Sequence, residues 1–504
     1  MTPQQPPPSN SPQFQASDGR SVPAAPGRGS GVVVIGAGIS GLTAAWQLRK
    51  AGVRVTVLER SDRIGGRFHS IELNGCRVEA GANFLSAAYR VVPFLAGELA
   101  VPLQAVSAKS AIAYGGEIYG FRTDRPTSAV RSGLLPIGTS LGQLPGLLRF
   151  TARSRGRGTL DPLDWLDLDR MTAEDWTRGI GLAQLAERSI YPAFHGFYFQ
   201  DARTVSAAAI GAMAAHGFSS RTLTIPGGLS RLTDALASRL DVRTGTTVAF
   251  VEEDAFGVAA HTDSGVFRAE AAIVAVPAPD LPAVMDLTAQ EEAVSAVAYS
   301  TGLLVCLGMA RRLHEDELAG AYGVLMHPDD GPLAALCVAS RAGHARGRGD
   351  VVTCMFAGKD ARALSGGADS EIVDAARRAL LVWEPRLSGA FAPAPEASAS
   401  ASSQAKPQQG PAAGAPSSNG GSVPDGASAG SQSSSGAGSS DHNEVVVGAG
   451  SSQDSKGRMS AAERPSAQSV RERWLPVTGV AIGVLSVAAI LLSAGLIVLR
   501  LRRA

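Results

Sequence analysis

Three glycines, Gly36, Gly38 and Gly41, stand at G-x-G-x-x-G spacing directly after the β-branched run 32–35, and a carboxylate, Glu59, follows 18 residues beyond the third glycine. Together these residue types can hold a dinucleotide. The first glycine permits a tight turn, the second lets the backbone approach a pyrophosphate, and the third lets a helix pack closely on the strand before it. The N-terminus of that helix offers free N–H groups and the positive end of its dipole to phosphate oxygens. Glu59 stands where a carboxylate accepts the ribose hydroxyls, which favours an unphosphorylated ribose. The elements that must position this set are a strand over 32–35, a helix, and a second strand over 53–58 ending at Glu59.

Beyond Glu59 and Arg60 the chain reads RSDRIGGRFHSIELNGCRVEAGANFL, with Gly65, Gly66 and Arg67 in sequence and a strand pair running toward Gly81 and Ala82. At these residues the chain resembles the flavin-containing amine oxidase superfamily, which includes protoporphyrinogen oxidases and phytoene desaturases. The resemblance implies FAD rather than NAD. It assigns the ribose to Glu59, with Arg60 beside it, the pyrophosphate side to Gly65, Gly66 and Arg67, and the flavin neighbourhood to Gly81 and Ala82. It also implies an α/β fold, in which a discontinuous Rossmann-like FAD-binding domain carries an inserted α+β substrate domain. A disordered linker and one C-terminal transmembrane helix would follow.

A second stretch agrees with this. Gly227 and Gly228 precede Leu229, Leu232, Leu236 and Leu240 at helical spacing, and a strand is expected over 246–251. In the resembled family this is the return to the FAD domain, and the residue matching Val248 contacts the adenine through its backbone. The expected organisation is an arm over 1–30, FAD-binding segments over 31–85 and 223–285, and substrate-domain segments over 86–222 and 286–390. A linker over 391–474 and a tail over 475–504 complete it.

Flavin oxidation needs a substrate C–H held close to the ring and an electron acceptor, oxygen or a quinone, so no acid–base motif is expected and no catalytic residue is named. Many amine oxidases place a lysine near the flavin, and the best-matching positions here are Leu303 and Leu304. This departure points to dehydrogenation of a large apolar small molecule, as in protoporphyrinogen oxidases and desaturases. Amine oxidation is the alternative, as is nucleotide binding without turnover, because the family's closing G-A-x-x-S-G helix has no match after SEIVDAARRALLVWEPRLSG.

Composition sets further bounds. A net charge of +1 and the lack of a basic patch interleaved with aromatics argue against nucleic-acid binding. Cys76, Cys306, Cys337 and Cys354 are too scattered for a metal or disulfide framework, so no metal site is expected. His195 lies in YPAFHGFYF and reads as a packing histidine. Thr172 with Asp175 reads as a helix start. The run 480–499 is uncharged, follows LPVTG at 475–479 and precedes RLRRA. It reads as a single membrane span that contacts lipid; arginines on both sides of it leave the orientation open, and the catalytic domain is expected on the cytoplasmic side because no export segment is read before Gly31. The LPVTG unit resembles a sorting signal, and a cell-wall-anchored surface protein is the alternative. Nothing in the sequence fixes the oligomeric state.

Overall fold

Four short strands, Asp241–Arg243, Val55–Leu58, Val32–Ile35 and Ala271–Val274, lie side by side in that order as a parallel sheet. The computed structural model describes residues 31–392, apart from breaks at 126, 156, 158–161, 218–220, 255–256 and 345–346, together with a strand at Val447–Ala449. The parallel strands come from sequence segments some two hundred residues apart. They read as Val/Ile runs because both faces are covered. On one face the helix Ile39–Lys50 sets Leu42 and Ala45 into the same core as Leu229, Leu232 and Leu236 at the start of and along the helix Ser230–Ala237.

Two strands differ from the sequence expectation. The second parallel strand begins at Val55 because the preceding residues close the helix: Gly52 adopts φ +84°, and Val53 N donates to Leu48 O at 3.0 Å. The strand expected over 246–251 runs instead over Val248–Asp254. Its approach is diverted, since Gly245 N and Thr246 N donate to Ser61 O and Glu59 O, each at 2.8 Å. It then forms an antiparallel meander with Gly257–Thr262 and Gly265–Ala269.

A seven-stranded sheet draws on both halves of the chain, in the order Val447–Ala449, Gly302–Met309, Asp350–Ala357, Leu333–Val338, Gly323–Met326, Lys109–Tyr114, Glu117–Arg122. Every residue of Leu333–Val338 and Asp350–Ala357 is buried. One face packs on Ile372, Ala376 and Leu380 of the helix Asp369–Trp383. The other carries Leu304, Ala335, Cys337 and Met355 against Phe84, Phe199 and Leu325. The edge strand Val447–Ala449 falls inside the segment expected to be linker, where it pairs antiparallel with Leu303, Leu304 and Val305. The row of backbone groups at the edge of Gly302–Met309 accounts for that departure, since an extended segment can add to it.

A helical unit fills the region between. Its centre is Trp165, fully buried, with the Phe150 ring stacked at 6.1 Å and the Trp176 ring edge-on at 6.3 Å between centroids. Thr172 caps the helix Ala173–Gly179 by accepting from Asp175 N at 3.1 Å, as the sequence indicates. Among the described residues no helix is long and apolar enough to cross a membrane. The arm 1–30, the LPVTG unit and the 480–499 run lie outside the described residues.

Trp165→Ala empties the centre of the helical unit, and a loss of about 3–5 kcal/mol is expected, read by denaturant unfolding.

Candidate functional site

The glycine turn forms where the Val32–Ile35 strand passes into the helix Ile39–Lys50. Gly36 takes φ +100°, a region closed to most side chains, and its N–H donates to Leu58 O at 2.8 Å. A Cβ on Gly41 would lie 2.0 Å from Gly36 O, so the third glycine is required for helix and strand to touch. Gly38 differs, because a Cβ there would meet no heavy atom within 4 Å. The helix above it has no side-chain cap, no acid in its first turn, and Arg49 and Lys50 in its last. Its dipole is therefore complemented at the C-terminal end and left open to an anion at the N-terminal end.

Glu59 is built into this turn. One carboxylate oxygen accepts from Ala37 N at 2.7 Å, and the other accepts from Ser61 N at 3.0 Å and Ser61 Oγ at 2.8 Å. Its backbone N–H donates to Arg243 O at 2.9 Å. Val248 lies close by in sequence to Thr246, which bonds the Glu59 carbonyl, and packs with Val33, Ile35 and Leu58 beneath the strand ends. Arg60 points away from this group, into an exposed ion pair with Asp280 at 3.6 Å.

Gly65 and Gly66, at φ +96° and +56°, turn the chain back beside the glycine loop. Gly65 N donates to Ala37 O at 2.8 Å, and Gly65 pairs with Gly38 as an isolated bridge. Arg67 keeps its side chain exposed, while its carbonyl accepts from Ala82 N at 2.8 Å. A Cβ on Gly81 would lie 2.1 Å from that same carbonyl. The fold thus brings Gly36, Gly38, Gly41, Glu59, Gly65, Gly66, Arg67, Gly81 and Ala82 into one continuous run of contacts, joined by Val248 from the later segment, and leaves the Arg60 side chain outside it.

Sequence reading overlooks Glu79. It ends the strand Cys76–Glu79 and is only 4% exposed. Its carboxyl accepts from Ser70 Oγ at 2.7 Å and from Leu229 N at 2.8 Å, tying the first FAD-domain segment to the second. Burial pushes this carboxyl up to about 7, against the opposing pull of the Ser70 and Leu229 hydrogen bonds and the Arg77 charge. A glutamate beside a turn looks like any exposed one in sequence, and no spacing betrays it.

Farther from the turn, Leu303 and Leu304 are both buried, on opposite faces of their strand, and Leu304 belongs to the apolar group with Phe84 and Phe199. His195 is buried with Nδ1 at 3.2 Å from Met326 O, and burial lowers its basicity. All four cysteines are free and buried. Glu187, His327 and Asp329 come together, with Asp329 held mainly by Arg203. Asp329 N donates to His327 Nδ1 at 3.2 Å, and His327 Nε2 lies 3.0 Å from Glu187 Oε1 without hydrogen-bond geometry among the described residues. Both Asp329 oxygens are held by Arg203, at 2.7 and 2.9 Å.

The open space at Gly38, the uncapped helix start and the carboxylate at the strand end fit an adenosine diphosphate moiety. Residues 39–396 match the family model described as flavin containing amine oxidoreductase. The chain belongs to this family. Its cofactor is FAD, whose pyrophosphate would lie against the backbone of Gly36, Gly38 and Gly41 and whose ribose would lie against Glu59. Polyamine oxidase 2 of Arabidopsis thaliana is 28% identical over 260 residues, 50% of this chain and 51% of that protein. A putative flavin-containing monoamine oxidase, AofH, of Mycobacterium tuberculosis is 28% identical over 49% of this chain and 56% of its own. The chain thus spans about half the length of these relatives. Among solved structures, putrescine oxidase bound to putrescine superposes with a TM-score of 0.56 at 20% identity, covering 70% of this chain and 81% of that one. A putative protoporphyrinogen oxidase from Exiguobacterium gives 0.55 at 17%, covering 70% and 82%. At this identity the likeness concerns the fold.

Two substitutions separate the roles of the glycines. Gly38→Val fills open space, so the protein folds but FAD affinity falls at least about 100-fold, roughly 2.7 kcal/mol, by fluorescence titration. Gly41→Val collides with Gly36 O and lowers the melting temperature of the cofactor-free protein as well.

Glu79 sets a pH dependence of the opposite sign to an ordinary salt-bridged carboxylate. Because folding raises its pKa, its contribution is fully present below the usual glutamate range and is lost as the pH rises through about 7. Glu79→Gln keeps one acceptor for Leu229 N and one donor for Ser70. It is expected to gain roughly 1–3 kcal/mol over wild type at pH 8 and little at pH 4, by urea unfolding at both pH values.

Proposed function

We propose that this protein is an FAD-dependent oxidoreductase that dehydrogenates a large apolar small molecule and passes the electrons to oxygen or a quinone. The observation that carries this reading is the wall around Leu304. At the positions best matching the lysine of many amine oxidases stand two buried leucines, and Leu304 is continuous with Ala335, Cys337, Met355, Phe84 and Phe199. Such a surface gains from burying hydrocarbon and offers nothing to a charged ammonium group. Bound FAD would accept a hydride from a C–H bond; the residues described here would hold the substrate against it and keep water away.

Amine oxidation is the competing reading, favoured by the names of the relatives, polyamine oxidase 2 and a putative monoamine oxidase. A shorter match, 42% identical over 71 residues and 14% of each chain, is to protoporphyrinogen oxidase 2 of Arabidopsis thaliana. On the proposed reading the site would meet a lipid-soluble substrate at a membrane, to which the 480–499 run would tether a cytoplasmic domain. A chain cut after Thr478 and joined to cell wall is the opposing outcome, read by mass spectrometry of the native C-terminus.

The purified, FAD-loaded protein is expected to be reduced anaerobically by protoporphyrinogen-like or polyene substrates and only weakly by putrescine, spermidine or small monoamines. Flavin bleaching under anaerobic conditions measures both. Rapid bleaching by the amines alone would replace this reading with amine oxidation, and protein that takes up FAD but is bleached by neither set would favour a cofactor-binding relative without turnover.

A further inference from the structure

Beside the Gly81 turn lies a small, partly open pocket lined by Arg77, Glu79, Asn83, Thr353 and His344, with Phe84 and Cys337 among its apolar lining. About 10 Å³ is open to the centre of a water molecule, which is room for one water and nothing larger. Two buried nitrogens among its lining residues, Arg77 Nε and His344 Nδ1, have no hydrogen-bond partner among the described residues. The His344 ring is fixed from its other side, with Nε2 at 3.0 Å from Thr224 Oγ1, and the His344 carbonyl accepts from Arg77 N at 2.9 Å. Buried polar atoms are almost always paired, and a site with several polar walls is where an internal water is retained.

We infer that this pocket binds one water, held by Arg77 Nε and His344 Nδ1, which joins the Glu79 carboxyl to His344 as a proton-holding pair beside the flavin-facing turn. This role rests on the oxidoreductase reading. Dehydrogenation removes two hydrogens from the substrate. One leaves with both electrons of its bond as hydride to FAD, and the other leaves as a proton while its bonding electrons form the new double bond of the product. The pocket supplies that proton with an acceptor: an O–H bond forms on the Glu79 carboxylate, reached through the water. Phe84 and Cys337 belong both to the pocket lining and to the apolar wall around Leu304, so the two sites share a partition.

The groups facing Glu79 favour it as the place where the proton rests. Arg77 lies on its own strand with Glu72 at 3.8 Å from the guanidinium, Ser70 lies on the paired strand, and Leu229 N begins the helix that carries Asp234. Thr353, His344 and Cys337 approach from the large sheet and the turn after it, and the Cys337 thiol is pushed up by burial first and by the charges of Asp350 and Glu79 after that. Burial raises Glu79 to about 7 and lowers His344, so near neutral pH the carboxyl takes the proton and the imidazole stays neutral. Glu79 acts here as a positioned proton store rather than as a residue touching substrate.

The test uses FAD-loaded protein without substrate. The flavin midpoint potential is measured against pH from about 5.5 to 9 by photoreduction with a reference dye. Wild type is expected to change slope near pH 7, Glu79→Gln to lose that change while retaining FAD, and His344→Phe to displace it. An unchanged slope near pH 7 in Glu79→Gln overturns the inference. A crystal structure of the wild-type holoenzyme gives a reading independent of either variant: a water within hydrogen-bond distance of Arg77 Nε and His344 Nδ1 supports the site, and a dry pocket overturns it. Protein that folds but binds no FAD would fail the oxidoreductase reading itself, whereas bound, reducible FAD with no Glu79-dependent slope fails only the proton store.

Discussion

The carboxylate of Glu59 holds the dinucleotide end of the molecule together. It receives Ala37 N from the glycine turn and both the N–H and hydroxyl of Ser61 from its own loop, while its main chain bonds Arg243 and Thr246 from a segment nearly two hundred residues later. Three passes of the chain are thereby brought to one point before any ligand arrives. Charge-assisted bonds of this kind are stronger and shorter than neutral ones, which suits a residue that must hold its orientation toward a ribose. The turn is preorganised by the same residue that would recognise the ligand.

Glu79 repeats the arrangement in a more buried setting. Both carboxylates join distant segments through backbone N–H donors, yet Glu59 is only partly buried whereas Glu79 is almost sealed. Desolvation grows steeply with burial while two hydrogen bonds and one neighbouring arginine offset only part of it. The inner carboxyl is thus the one whose charge can change near neutral pH. A discontinuous domain needs such seams, because its sheet is assembled from strands that local contacts alone cannot bring together.

The glycine turn was legible in the sequence because Gly36 and Gly41 answer steric demands within the chain and Gly38 leaves its space open, and the carboxylate falls where the preceding strand must end. Thr172 was legible for a similar reason, since capping is local. The start of the Val55–Leu58 strand was not, because Gly52 continues the helix closure beyond the last helical residue. The diversion of Gly245 and Thr246 depends on Ser61 and Glu59, which no local pattern around 246 reveals. Arg60 looked equivalent to its neighbours in the motif, but its side chain finds Asp280 instead. Glu79, Arg77 and His344 were invisible as a group because their meeting is a product of tertiary packing.

The separation between polar and apolar surfaces bears on chemistry as well as stability. Leu304 and Glu79 lie on different sheets, and Phe84 and Cys337 belong both to the apolar group with Leu304 and to the pocket that Glu79 lines. A hydride moves only over contact distance, so on the proposed reading the substrate carbon would lie against the apolar group around Leu304. A proton can travel farther along hydrogen-bonded groups, so its acceptor can sit behind that wall, in a pocket too small for substrate. On that reading, keeping the two apart would let the apolar group exclude bulk water from the reacting carbon without stranding the released proton, and would keep the ionisable group's charge away from an entering apolar ligand.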